Sequence, residues 1–133
     1  MAIYGIGAYY NGTDDVSEEF VNKNLACIGW DASDAPTLHL MLRYIKVGDI
    51  IYIKSAPIGQ GLRVKAIGIV ADNSIVIDPI IKTGITMKWI WTGNDVINVS
   101  DDKNNIRNNT LYEELDIVAQ KEILSRLFKT VKM

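Results

Sequence analysis

Apolar and polar positions alternate along this chain in two rhythms. A period of two marks strands, and a period near 3.6 marks helices. The segment AIYGIGAYY, from Ala2 to Tyr10, reads as a first strand, with Gly5 and Gly7 two apart and open onto one face. NGTDD is a turn, where Asp14 or Asp15 can cap a short helix over VSEEFVNKN that packs through Phe20 and Val21. LACIGW is a short buried strand ending at Gly29-Trp30. DASDAP opens the next helix, with Pro36 in its first turn, where a missing N–H costs nothing. Leu38, Met41, Leu42 and Ile45 fall at i, i+3, i+4 and i+7 and form its apolar stripe. His39, Arg43 and Lys46 lie off that stripe, so His39 is expected at the surface rather than as a general base.

DIIYIKS and LRVKAIGIVAD, joined by APIGQG, are predicted to pair as antiparallel strands. In the first, Asp49, Ile51, Ile53 and Ser55 share one face, and Ile50, Tyr52 and Lys54 the other. NSIVIDP either continues the second strand or forms a short one. GITMKWIWTG is rich in aromatic and β-branched residues and reads as a strand. Simple alternation puts Ile85, Met87, Trp89 and Trp91 on one of its faces, with Lys88 and Ile90 opposite. SDDKNNIRNN is a polar loop. Thr110 and Glu113 then match a Thr-x-x-Glu capping box, and the chain ends helically with a stripe of Leu124, Leu127, Phe128 and Val131. An irregularity is expected near Asp116, where the stripes on its two sides do not join. The expected fold class is α+β: one domain over 1–133, with a small curved, mainly antiparallel sheet or open pseudobarrel and flanking helices.

Composition narrows the function. Of 133 residues, 48% are hydrophobic and 23% charged, which suits one ordinary globular core. A formal net charge of −2 argues against tracking along duplex nucleic acid but leaves room for one local basic pocket. Cys27 and His39 are the single cysteine and histidine, too few for an intramolecular disulfide or a familiar zinc set. No metal or other cofactor is expected, and Cys27 reads as a small core residue. No stretch approaches a membrane span and no signal-peptide pattern opens the chain, so a soluble cytoplasmic protein without a membrane partner is expected.

The familiar enzyme templates are not met. GIGAYY lacks the third glycine of a dinucleotide fingerprint, and no phosphate-binding G-x-x-x-x-G-K-[ST] occurs. Ser55 has no base beside it, and Asp14, Asp15, Asp31 and Asp34 fall at cap and turn positions. The strand-end aromatics are more informative. Flat rings near a strand mouth can stack on a base while a Lys or Ser binds its edge, with Gly5 and Gly7 leaving space. The plainer alternative puts Trp89 in the core, uses Trp91 to close the mouth, and gives the glycines to curvature or packing.

The succession ACIGW, helix, VGDIIYIKS and VKAIGIVAD resembles the PUA-like superfamily. It is most similar to EVE- and ASCH-type domains and to modules found beside restriction nucleases. The similarity covers Ile3 to Asp72, with MKWIW as a later strand. It implies a pseudobarrel with a pocket beside its first helices, and EVE relatives, like the YTH readers, are associated with modified bases. The positions that carry over are Trp30, Lys54, Ser55 and Trp91, and Tyr9 and Tyr10 join them from the end of the first strand. The resemblance therefore implies a non-catalytic module for a modified base or nucleotide in nucleic acid, in restriction or phage defence. The alternatives are a sequestering or adaptor protein for a nucleotide signal or protein partner, and last an ASCH-like hydrolase or nuclease.

Overall fold

A computed structural model describes residues 1–55, 62–100 and 105–131. In chain order its elements are β1 (Ile3–Gly7), β2 (Tyr9–Tyr10), β3 (Asp14–Asp15), α1 (Ser17–Lys23), β4 (Leu25–Ile28), α2 (Pro36–Tyr44), β5 (Ile50–Ser55), β6 (Leu62–Asp78) and β7 (Lys82–Ile97). A 3-10 turn at Asn105–Asn108, β8 (Leu111–Glu113) and α3 (Ile117–Val131) follow. Six strands form one curled half-barrel in the order β4-β7-β6-β5-β1-β8, and β2 and β3 pair as a separate hairpin. All neighbours in the six-stranded sheet are antiparallel except β1 and β5.

The apolar run of β5 accounts for the layering. A strand without charge on either face before Lys54 must be covered twice. Ile51 and Ile53 enter a core closed by Phe20 of α1, Leu42 of α2 and Ile45 just beyond it. Ile50 and Tyr52 enter a second core closed by Ala119, Ile123 and Leu127 of α3. The pairing of β5 with β6 is as expected, with Ile50 opposite Ile69 and Ile53 opposite Ala66. NSIVIDP continues β6 rather than forming its own strand. The APIGQG connector and the 101–104 part of the polar loop lie outside the described residues.

Several local expectations are corrected. Alternation put Trp91 on the face of Trp89, but the register shifts between Ile67, opposite Trp91, and Gly68, opposite Trp89. The extra residue, Ile90, is a β-bulge, and one inserted residue moves everything beyond it to the other face. Trp89 therefore packs against the first core and Trp91 against the second. Thr110 and Glu113 do not cap a helix, because Leu111–Glu113 is recruited as an edge strand on β1. Asp116 is the cap instead: its Oδ2 accepts the Ala119 N–H at 3.0 Å, which explains the break in the stripes there. Along α3 the buried positions are Ala119, Ile123 and Leu127, spaced by four, whereas Phe128 is 55% exposed. The Val131 side chain lies outside the described set. The second helix begins at Pro36, after a turn over Asp31–Asp34 rather than within it.

The curl has a visible clasp. Trp30 follows β4 and Thr110 precedes β8, so they flank the two edge strands of the sheet. The Trp30 Nε1–H donates to Thr110 Oγ1 at 3.3 Å. The sheet's edges thus approach each other, and the space they enclose is the candidate site.

Candidate functional site

Four of the six residues singled out in the sequence meet at this mouth. Parallel pairing of β1 with β5 sets Gly7 opposite Lys54, so both strands end together. The chain then turns into the β2–β3 hairpin, whose tip residues Asn11 and Gly12 have φ of 55° and 75°. Two successive positive φ values suit an Asn-Gly turn and aim Tyr9 and Tyr10 beside the mouth. The gap between sheet edges and hairpin holds three adjoining cavities of about 530, 330 and 410 Å³.

Lys54 lines the first cavity. Its stem lies over Gly7, where an added Cβ would sit 3.4 Å from Lys54 Cε. At Gly5 an added Cβ would come within 2.3 Å of the Tyr112 ring. The space expected over Gly5 is therefore filled from within the protein by Tyr112, whereas Gly7 borders the first cavity beside the Lys54 stem. The Lys54 ammonium donates to the Arg107 carbonyl oxygen at 2.6 Å. Burial pulls its pKa below the ordinary lysine value, and among the described residues no carboxylate pairs with it. A half-buried cation with one neutral acceptor favours an anion or a further acceptor brought by a ligand.

Trp30 is 53% exposed yet held at two points. Its indole N–H is the clasp to Thr110, and its carbonyl oxygen accepts from His39 Nε2 at 2.7 Å. His39 is thus partly exposed, as the helical pattern implies, but it anchors the main chain that presents the indole. Tyr9 is also 53% exposed, with Lys65 Nζ 5.9 Å from its ring centroid. Tyr10 is half-buried: its hydroxyl donates to the Ile81 carbonyl at 2.5 Å and its ring meets Phe20 edge-on at 6.2 Å. Burial, with Cys27 and Asp78 nearby, raises the Tyr10 phenol above its ordinary pKa, so it stays a neutral donor. Gly29 gives this ring its seat, since a Cβ there would lie 2.9 Å from Tyr10 Cζ.

Ser55 and Trp91 are not brought to the mouth. Ser55 is only 7% exposed, and Trp91 lies on the α3 side with Arg126 Cζ 5.8 Å from its ring. The sequence reading missed Thr110, which borders all three cavities, together with Asn108, Asn11, Gly12 and Lys82. Only the Asn-Gly turn had a sequence signal. Thr110 is placed by β8 pairing with β1, and its carbonyl accepts the Gly7 N–H at 2.8 Å.

A buried polar knot supports the mouth from below. Glu114, 1% exposed, accepts the Tyr52 hydroxyl at 2.7 Å and two Arg107 N–H groups at 2.8 and 2.9 Å. The Tyr52 and Tyr112 hydroxyls are 2.7 Å apart. This fork fixes the turn whose carbonyl holds Lys54.

A larger cavity, about 740 Å³, lies elsewhere, between α1 and the β6–β7 strands. Asp15, Glu18 and Lys65 line it, with Lys65 already neutralised by Asp15, and among the described residues no aromatic ring borders it. Among the described residues no group of three His, Cys, Asp or Glu side chains could hold a metal ion, and no helix is long and apolar enough to cross a membrane. No protein-family description matches the chain, and no curated protein matches it either.

Proposed function

We propose that the mouth is a recognition site for a nucleotide or a modified base, in a PUA-like binding module that does no chemistry on its ligand. The observation that carries this reading is the pinned indole of Trp30. Its edge and main chain are engaged within the protein, while it borders two cavities, one shared with Tyr9 and Tyr10 and one beside α2. An aromatic whose orientation is set in advance loses little freedom on stacking with a base. Lys54 supplies a charge for a phosphate or an acceptor on the base, and the Asn11 and Asn108 amides can read a base edge. The resemblance to EVE-type domains points the same way and suggests a setting in restriction or phage defence.

The test is titration against a panel of plain and modified nucleosides and nucleotides. Trp30→Ala should remove about 1–3 kcal/mol of binding. Equal affinity of wild type and Trp30→Ala for every member would refute the reading. A second reading, an adaptor for a protein partner, is favoured by the exposed Leu40 and Tyr44 on α2 with Val47 just beyond. It would take precedence if a partner's binding depended on these residues and not on Trp30.

A further inference from the structure

The three cavities at the mouth form a series. Tyr9 borders both the first, beside Lys54, and the second, beside Lys82. Trp30 borders both the second and the third, beside α2. Thr110 borders all three. Two half-exposed rings are therefore each shared by two adjoining cavities, and the three together make a groove that is a run of neighbouring compartments. Among the described residues no carboxylate lines any part of it, although the chain has 16 acidic residues and a net charge of −2. The contrast is sharp with the cavity beside α1, where Asp15 and Glu18 are part of the wall.

We infer that this groove takes a short single strand of nucleic acid, with successive bases seated on either side of Tyr9 and Trp30 and the backbone following the Lys54 and Lys82 margin. The inference rests on the base-binding reading above and extends it from one base to about three. A free nucleoside would use one compartment and leave the others empty. A single strand uses the repetition, because every base has a face to stack and its phosphates suit a groove free of carboxylates. A duplex does not fit this chemistry, since its paired bases are stacked on one another and present only their edges.

The experiment is a length series, d(T)1 to d(T)6 and the matching r(U) oligomers, titrated by calorimetry, with a 12-base-pair duplex as a further arm. Affinity should rise about 10-fold for each added nucleotide up to about three, then level off, and the duplex should bind far more weakly. Tyr9→Ala and Trp30→Ala should each lower trinucleotide affinity by about 10-fold, and the double variant should bind the trinucleotide no better than the mononucleotide. Trp30→Phe, which keeps a ring but lacks the N–H that pins it to Thr110, should restore part of the loss. Both side chains are half-exposed, so the variants should stay folded at the titration temperature, with the melting temperature followed in parallel and lowered more by Trp30→Ala, which loses the hydrogen bond to Thr110. Comparison of the d(T) and r(U) arms shows which sugar the groove prefers.

A mononucleotide that binds through Trp30 with no gain on lengthening overturns the single-strand inference and leaves the base-binding reading standing. Failure of every oligomer and of the nucleoside panel overturns both. Duplex binding as tight as the single strand, unaffected by the ring variants, also overturns the inference.

Discussion

At the scale of single residues, apolar side chains on two helices serve opposite ends. Leu42 is fully buried on α2, and Phe128 on α3 is more than half exposed. Leu42→Ala should cost about 2–5 kcal/mol of stability, as a cavity opens that its neighbours only partly fill. Phe128→Ala should change stability by less than about 0.5 kcal/mol. Denaturant unfolding of the two variants checks the contrast, and equal effects would contradict the assigned core. Lys54 gives a pH signature. Its pKa is depressed in the folded protein, so between that depressed value and about 10.4 the unfolded chain holds the proton that the folded chain has lost. Stability should therefore rise with pH across this window. Lys54→Met should flatten the rise, and the difference between the two pH profiles isolates Lys54 from the other lysines. A steeper rise in the variant would reverse the sign and contradict the burial of this amine.

At the scale of elements, the short segment between β7 and α3 does more than connect them. Arg107 joins the turn to Glu114 through two parallel hydrogen bonds, and Glu114 also receives Tyr52 from β5. Arg107→Ala should destabilise by about 3–5 kcal/mol, because it leaves a buried carboxylate without its cation. Replacing both members, Arg107→Met with Glu114→Leu, should recover much of that loss, since neither charge is then stranded. A double-mutant cycle in thermal melts measures the coupling. Near-additive losses would mean that the pair does not act as a unit. Ligand affinity should fall in Arg107→Ala even where the fold persists, because the carbonyl that positions Lys54 belongs to the released turn.

At the scale of the whole molecule, a mildly acidic chain carries one groove lined by lysine and free of carboxylate among its described residues. On the single-strand proposal, binding should lack the steep salt dependence of a protein that neutralises many phosphates. With Lys54 and Lys82 as two phosphate contacts, log affinity against log salt should have a slope of about −1.4 for a single strand. Titrations between 50 and 300 mM salt check this. A slope steeper than about −4 would imply a broad basic face that this structure does not present.

The local patterns determined a good deal of this protein. Alternation in β5 and β6 and the Pro/Gly connector were enough to foresee their antiparallel pairing, and the four-residue stripe of α2 foresaw its buried side. The gathering of Tyr9, Tyr10, Trp30 and Lys54 followed from their positions at strand ends, because strands of one curled sheet end at a common rim. Three decisions belonged to the tertiary structure. The bulge at Ile90 turned Trp91 away from Trp89, and only the partner strand β6 shows that one residue is unpaired. Leu111–Glu113 became a strand because β1 had a free edge, which overrode the local helix-cap signal of Thr110 and Glu113. Thr110 entered the site because the curl brings the two sheet edges together, a contact between residues 80 apart in the chain. Periodicity records which face of an element is apolar. It contains no information about which distant edge closes on which, and that closure is what makes the mouth.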